Sequence, residues 1–330
     1  LLAHRQKMRD QRSWFSGIDS LPAVRAPWHD MDIRFKTSVS TSYLHAVLCR
    51  EEGFPAADTD LAACLDETTN LLISTLQFCG LACRPTLELL VALASESENN
   101  RQLAQLAITR LLGSAEATEA IISPLAAALS GLQAKMLTAQ PGLAAELPLR
   151  TRPLLDQWEA RGPGLLHEVA RLTEEGFLAE SAEVVFVAPF VGGHGRVNMR
   201  TNRVILEAVL ANPHSDLPEP LRLGWLLAQL NADLPKYAEV IPGQRQELVA
   251  QLATLPVVLA ASETVEWSTC DVATIARALE CWHLATDFPA ELAQLLFSWW
   301  QTYTRGSSTW AIAGSALEAL LAQEGKSLLR

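Results

Sequence analysis

Apolar residues recur every three or four positions over most of the chain, a spacing that predicts amphipathic helices. The first helical block runs from Thr41 to Glu180. Turn-forming residues predict breaks within it at Gln140-Pro141-Gly142, at Pro148 to Pro153 and at Gly162-Pro163-Gly164. A later segment, Leu221 to Leu230, is apolar almost all round. We therefore expect that helix to be buried on most of its sides.

Two stretches depart from the helical pattern. Asp32 to Val39 alternates apolar and polar residues, which predicts a half-buried strand. Ala182 to Asn231 contains two runs of β-forming residues separated by glycines and arginines. These runs predict a β-hairpin that joins Val184–Phe190 to Val197–Leu206. If Asp32–Val39 is a strand, we expect it to pair with the strand around Val184.

The fold that these patterns predict is mainly α. It is a multi-helical bundle with a small β-hairpin or short antiparallel sheet at about residues 183–207, joined by 32–39 if that stretch pairs with it. We predict an N-terminal helical region, 1–145, and a helical region carrying the hairpin, 146–330. A single compact domain, 1–330, is the close alternative, since 330 residues suit either arrangement.

The composition of the chain limits the classes of partner that we expect the protein to bind. The formal net charge is −11 and the sequence pI is about 5.2, which argues against nucleic-acid binding through a general excess of basic residues. The most apolar stretch, Ile121 to Leu137, is interrupted by polar residues. We therefore expect a buried core helix rather than a helix that spans a membrane, and no membrane partner. Leu1 to Arg12 lacks the apolar segment of a signal peptide. Six cysteines are too few for a disulfide scaffold in a chain of this size, and together these features predict a cytoplasmic protein.

Three short motifs are compatible with metal binding, and each has a simpler interpretation. His167-Glu168 begins a zinc-peptidase helix motif, but Arg171 stands where the second imidazole is needed. Cys79 and Cys83 have a zinc-knuckle spacing but lie between strongly apolar helices. His29-Asp30-Met31-Asp32 could hold a divalent cation or simply form turn hydrogen bonds. We predict no metal and no cofactor.

The glycine-rich segment is the strongest candidate for a site. Glycines permit positive φ, and exposed N–H groups in such a loop can hold an anion. Arginines follow the loop and could add positive charge. The alternative is an ordinary hairpin turn flanked by solvated arginines. The candidate ligand-binding residues are Gly192, Gly193, His194, Arg196, Arg200 and Arg203.

Two functions from different classes follow. The first is a non-enzymatic scaffold or protein-interaction module, because no nucleophile motif occurs and most of the pattern describes core packing. It predicts a protein partner and an exposed apolar patch at Trp299 or Trp300, since adjacent residues on one helix do not share a face. The second is an enzyme or small-molecule binder that holds a small anionic ligand at the Gly192–Arg203 segment. The sequence does not decide whether the protein is an enzyme.

Overall fold

The computed structural model describes residues 31–97, 99–174, 176–210, 214–239, 241–284 and 287–324. Within these ranges the chain forms twelve α-helices and one four-stranded sheet, which confirms a mainly α fold. The strands are β1 (Asp32–Thr37), β2 (Ser181–Val187), β3 (Gly195–Asn198) and β4 (Arg203–Glu207). The helices are α1 (Val39–Glu51), α2 (Thr59–Phe78), α3 (Cys83–Ala94), α4 (Asn100–Leu112), α5 (Glu119–Ala139), α6 (Leu143–Leu172), α7 (Glu219–Ala228), α8 (Pro235–Ala238), α9 (Gln246–Thr264), α10 (Val272–Cys281), α11 (Pro289–Arg305) and α12 (Trp310–Glu324).

The sheet is mixed, and its strand order is β1-β2-β4-β3. β1 and β4 both run parallel to β2, with Phe35 opposite Val184 and Val185 opposite Ile205. The expected pairing of the first strand with the strand around Val184 is therefore confirmed. The carboxyl ends of the three parallel strands meet at one edge of the sheet, where ligands commonly bind in α/β folds.

The predicted hairpin between Val184–Phe190 and Val197–Leu206 is wrong, and so is a purely antiparallel sheet. The antiparallel pair is β3 with β4, which is joined by a short 3₁₀ turn, Met199–Thr201, and by Asn202 in the left-handed conformation. The glycine cluster does not reverse the chain between two paired strands. It connects β2 to β3, which are not neighbours in the sheet. Strand β4 follows β3 in the chain and lies between the two.

Helix α1 begins directly after β1. The Ser38 hydroxyl accepts a hydrogen bond from the Thr41 N–H and caps the helix. Residues Ser40 to Cys49 are all buried, and the helix packs against β2 and α3. A histidine on this helix is therefore enclosed by the core.

Two of the predicted breaks are wrong, because helix α6 runs unbroken for 30 residues through Pro148, Pro153 and Pro163. Its buried side chains recur every three or four positions, and tertiary packing against α7 and α9 outweighs the local cost of the prolines. Gly162 has a packing role, since a Cβ there would lie 2.4 Å from the Trp158 ring.

Helix α5 contains the most apolar stretch of the chain. By length and composition alone, it is the one single helix within the described ranges that could span a membrane; α2 and α3, bent by 113°, pass the same test as a pair. Leu125, Leu129 and Leu132 are fully buried, and α5 packs on α2 and α4. One face of α5 therefore lies in the core, while only 33% of its most apolar window is buried.

The predicted exposed patch at Trp299 or Trp300 is wrong. Both side chains are only 5% exposed, because α11 is enclosed by α9, α10 and α12. Trp299 Nε1 donates a hydrogen bond to the Ala313 carbonyl 2.9 Å away. The division into 1–145 and 146–330 stays a prediction.

Candidate functional site

A buried carboxylate organises the carboxyl end of the sheet. Glu207, the last residue of β4, has no exposed surface. Five successive backbone N–H groups of the loop that follows β2, residues 188–194, donate hydrogen bonds to it. Oε1 accepts from Phe190 (2.9 Å) and Val191 (2.8 Å), and Oε2 accepts from Gly192 (2.8 Å), Gly193 (2.7 Å) and His194 (3.0 Å).

Glycine makes this wrapping feasible. Gly192 and Gly193 have φ values of 98° and 124°, a region that residues with a Cβ rarely adopt. Consecutive N–H groups then point to one side and form a concave anion site. The sequence predicts that this loop can hold an anion, and in the structure the anion is a carboxylate of the same chain.

His45 from α1 completes the shell around Glu207. Its Nε2 lies 3.0 Å from Glu207 Oε1, and both side chains are fully buried. The same nitrogen lies 3.4 Å from Cys49 Sγ, one helical turn further along. The pair therefore joins α1 to the end of β4 within the buried core.

Burial and charge have opposite effects on the titration of this pair. Burial alone would lower the pKa of His45, but Cys49 and Glu207 outweigh it and raise that pKa to about 9. Burial would raise the pKa of Glu207, but the His45 hydrogen bond and charge, with the N–H groups of Gly193 and Val191, hold it well below the ordinary range. His45 and Glu207 therefore form an ion pair at neutral pH.

His45, Cys49 and Glu207 also meet a distance criterion for a metal centre, since their ligand atoms lie within 4.8 Å of one another. The hydrogen bonds argue against that use. A carboxylate has about four lone-pair directions, and Glu207 already accepts five N–H bonds besides its contact with His45. We interpret the trio as a structural ion pair with a neighbouring thiol.

His194 lies beside this ion pair. Its ring is stacked on His45, with centroids 5.7 Å apart, and contacts Phe54 at 4.5 Å. It is 8% exposed, and its Nδ1 has no hydrogen-bond partner within the described part of the chain. Burial, followed by the charges of Arg196 and His45, holds its pKa well below 6.5, so the imidazole is neutral at neutral pH.

Arg222 from α7 approaches the loop from the other side. A Cβ on Gly193 would lie 2.5 Å from Arg222 Nη1, so only glycine leaves room for the guanidinium there. Nη2 lies 3.3 Å from Glu219 Oε1 and 3.4 Å from the Cys281 carbonyl, both long for hydrogen bonds to a guanidinium. Arg222 Nε and Nη1 have no acceptor among the described residues, although the side chain is only 6% exposed.

His283, two residues after α10, completes the group. Its ring centroid is 6.3 Å from that of His194. Burial, and next the charge of Arg222, lower its pKa. Its φ of 55° is a conformation that few non-glycine residues adopt and that is often found at functional sites. We call His194, Glu219, Arg222 and His283 the polar cluster.

Buried polar atoms without partners concentrate here. Seven such atoms occur among the described residues, and buried polar groups are normally hydrogen-bonded. Only Gln140 Oε1 and Ser268 Oγ lie elsewhere. The other five are His194 Nδ1, Glu219 Oε2, Arg222 Nε, Arg222 Nη1 and Arg196 Nε, which belongs to the neighbouring strand β3.

The three arginines of the predicted site lie in three different places. Arg196 Nη2 contacts Glu52 Oε2 at 2.6 Å, and Arg200 is exposed on the 3₁₀ turn. Arg203, at the start of β4, contacts Glu183 and Glu96 at 2.8 Å each. Of the six predicted site residues, the structure brings Gly192, Gly193 and His194 together around Glu207, with Arg196 next to them.

Sequence reasoning did not assign five residues of this region to the candidate site: His45, Glu207, Glu219, Arg222 and His283. A usable signal exists for two of them. Arg222 is the one charged residue within the apolar segment Leu221–Leu230, and Glu207 ends the apolar run Val204–Leu206. A charge within a segment that must be buried needs a partner or a function. His45 and Glu207 are 162 positions apart, and nothing in the linear order connects them.

The other metal motifs gain no support. Glu168 accepts a hydrogen bond from Arg171 Nε at 2.8 Å, and Cys79 and Cys83 are free thiols. His29 and Asp30 lie outside the described residues.

No family model, curated protein or solved structure matches this chain.

Proposed function

We propose that the protein binds a small anionic ligand, and that the polar cluster at the carboxyl end of the sheet is the binding site. One observation carries the proposal. Arg222 is a buried cation with two nitrogens that lack acceptors among the described residues, and a bound oxyanion would supply them. The loop that carries His194 and places Gly193 beside this guanidinium is part of the segment that the sequence predicts as the site.

In this proposal Glu207, Arg222 and His194 have three different roles. Glu207 occupies the loop N–H groups, so these groups position the loop and do not contact the ligand. Arg222 binds the anion. His194 offers Nδ1, as donor or acceptor according to its tautomer, to a second polar group of the ligand.

Access favours the same location. Gly192 is exposed and His283 is half-buried, so the cluster extends from the core to the surface. Phe54, also half-buried, covers His194 with an apolar ring. An apolar ring beside a few convergent polar groups is a combination that small-molecule sites commonly use.

Calorimetric titration with sulfate and with formate tests the proposal. We expect saturable binding to the unmodified protein, loss of binding in Arg222→Met, and retention in Arg200→Gln. Arg200 is the matched control because it belongs to the same segment but is exposed. Equal binding by the two variants, or no saturable binding to the unmodified protein, would refute the proposal.

A protein-interaction function has one specific observation in its favour. Leu71 and Phe78 are 54% and 86% exposed and lie two turns apart on one face of α2. A partner on this face should co-purify with the unmodified protein and be lost in Leu71→Ser/Phe78→Ser. It should be retained in Leu149→Ser, which changes a leucine that is 68% exposed on α6. Equal recovery with all three proteins would exclude this face.

A further inference from the structure

Of the two carboxylates near Arg222, Glu219 accepts fewer hydrogen bonds than Glu207. Glu207 is surrounded by donors, whereas Glu219 Oε1 has only the 3.3 Å contact with Arg222, and Oε2 is buried without a partner among the described residues. Its side chain is 11% exposed. Burial raises the pKa of Glu219, the charge of Arg222 opposes this increase, and the charge of Glu207 adds to it.

We propose that Glu219 is a second ligand-binding residue: a small oxyanion replaces it as the charged partner of Arg222, and Glu219 then binds that anion as a protonated carboxylic acid. This inference rests on the proposed function of the polar cluster. The proton comes from solvent, forms an O–H bond on the carboxylate of Glu219, and is donated as a hydrogen bond to an oxygen of the ligand.

Glu219 must be protonated in the liganded state because of the charge balance around Arg222. If Glu219 stayed ionised, the ligand would place a second anion beside one guanidinium in a poorly solvated site, and like charges at such distances repel strongly. Protonation removes the repulsion and turns an acceptor into a donor. Glu207 cannot take this role, because five N–H groups and His45 stabilise its ionised form.

Within the described residues, few charged or titratable groups act on Glu219. Arg222 faces it on α7, Glu207 lies at the end of β4, and Cys281 interacts with both Glu219 and Arg222 from the end of α10. On β3, Arg196 is paired with Glu52. The contacts of α7 with α6 at Gly224 are to the apolar side chains of Leu165 and Trp158, and its Trp225 bonds to a backbone carbonyl of α9.

The consequence is proton uptake on binding. Because the liganded state holds one more proton than the free state, affinity should fall as pH rises above the pKa of free Glu219, by up to about tenfold per pH unit. Sulfate and formate are suitable probes, since neither titrates between about pH 5.5 and pH 8. Calorimetry at several pH values, in buffers of different ionisation enthalpy, measures both the affinity and the number of protons taken up.

Three proteins give the test its controls. The unmodified protein should take up about one proton per bound anion. Glu219→Gln, whose amide copies the donor of a protonated glutamate, should bind with little pH dependence and more tightly than the unmodified protein at the upper end of the range. Glu280→Gln changes an exposed glutamate next to Cys281 and should behave like the unmodified protein.

The outcomes are distinct. Binding without proton uptake would overturn this inference and leave the proposed function standing. Proton uptake that persists in Glu219→Gln and disappears in His283→Gln would assign the proton to the histidine and would also overturn it. If no anion binds at any pH, the proposed function fails, and the role of Glu219 fails with it.

Discussion

Strand β4 has a buried charged side chain at each end. The two ends differ in how many of the surrounding polar atoms have hydrogen-bond partners. At the start of the strand, Arg203 has hydrogen bonds to Glu183, Glu96 and the Ala92 carbonyl, and Lys36 adds a contact of 2.5 Å to Glu183. No buried side-chain nitrogen or oxygen at this end is without a partner within the described ranges. Such an arrangement is complete without a ligand.

At the other end, Glu207 is equally well bonded, but its surroundings are not. Arg222, Glu219 and His194 each keep a buried polar atom without a partner among the described residues. Because an unpaired buried polar group costs about 1–3 kcal/mol, an accumulation of them in one place needs an explanation. We therefore interpret the Arg203 end as a source of stability, and the Glu207 end as a structural anchor beside the proposed binding site.

The largest effect should come from the anchor itself. Glu207→Ala leaves five loop N–H groups and the His45 cation without their acceptor, and we expect a loss of about 5 kcal/mol or more in the free energy of unfolding, or failure to fold. Glu207→Gln keeps one oxygen acceptor and should lose less. Urea unfolding measures both. Glu67→Ala, an exposed control on α2, should change stability by less than about 0.5 kcal/mol. A comparable small change for Glu207→Ala would contradict the anchor.

The His45–Glu207 pair predicts a pH dependence. The pKa of His45 rises from about 6.5 in the unfolded chain to about 9 in the folded protein, so its contribution is complete below pH 6.5 and is lost as pH rises through 9. The loss should be on the order of 3 kcal/mol. Unfolding free energies measured across this range should fall in the unmodified protein and fall much less in His45→Gln. Parallel curves for the two proteins would show that His45 is not the group that titrates.

Arg203→Met should cost about 2–3 kcal/mol, since it removes the shared partner of Glu183 and Glu96 and leaves the Ala92 carbonyl without its donor. Arg200→Gln, at an exposed arginine three residues earlier, should be close to neutral. Urea unfolding of the two variants checks this difference. If Arg203→Met were neutral as well, the complete set of contacts at this end would not be a source of stability.

Gly193→Ala should lower stability by about 1–2 kcal/mol, because alanine is strained at a φ of 124° and its Cβ would displace the Arg222 guanidinium. The displacement should also weaken the binding of sulfate. Gly131→Ala, on α5 with nothing near its Cβ position, should be neutral or stabilising. Unchanged sulfate binding in Gly193→Ala would argue against contact between the loop and the site.

Local patterns predicted much of the fold. The alternation at Asp32–Val39 identified β1 and its partner, and the three-to-four spacing identified most helices. The hairpin was wrong because a glycine cluster between two β-like runs has two physical uses: it can reverse the chain, or it can wrap an anion. The choice depends on Glu207, which lies 13 to 17 positions further along the chain than the N–H groups that it accepts from.

The sequence predicted only those parts of the candidate site that lie in consecutive residues. The loop glycines and His194 could be identified because their chemistry is visible in consecutive residues. All three arginines follow the glycine loop closely in the sequence, but Arg203 lies four residues before Glu207, at the opposite end of the same short strand, roughly 13 Å away at the rise of a strand. Arg222 and His283 reach the loop through the packing of α7 and α10, which no local pattern predicts.

The most direct test of the contrast between the two ends is the free energy of unfolding of Arg222→Met, measured in urea without ligand beside Arg203→Met. Among the described residues Arg222 has only long contacts, to Glu219 and the Cys281 carbonyl. Burial already raises the pKa of Glu219, so this carboxylate takes up a proton when the cation is removed, and Arg222→Met should change stability by no more than about 1 kcal/mol. A loss as large as that of Arg203→Met would mean that Arg222 is a structural cation, and would contradict a site kept incomplete for a ligand.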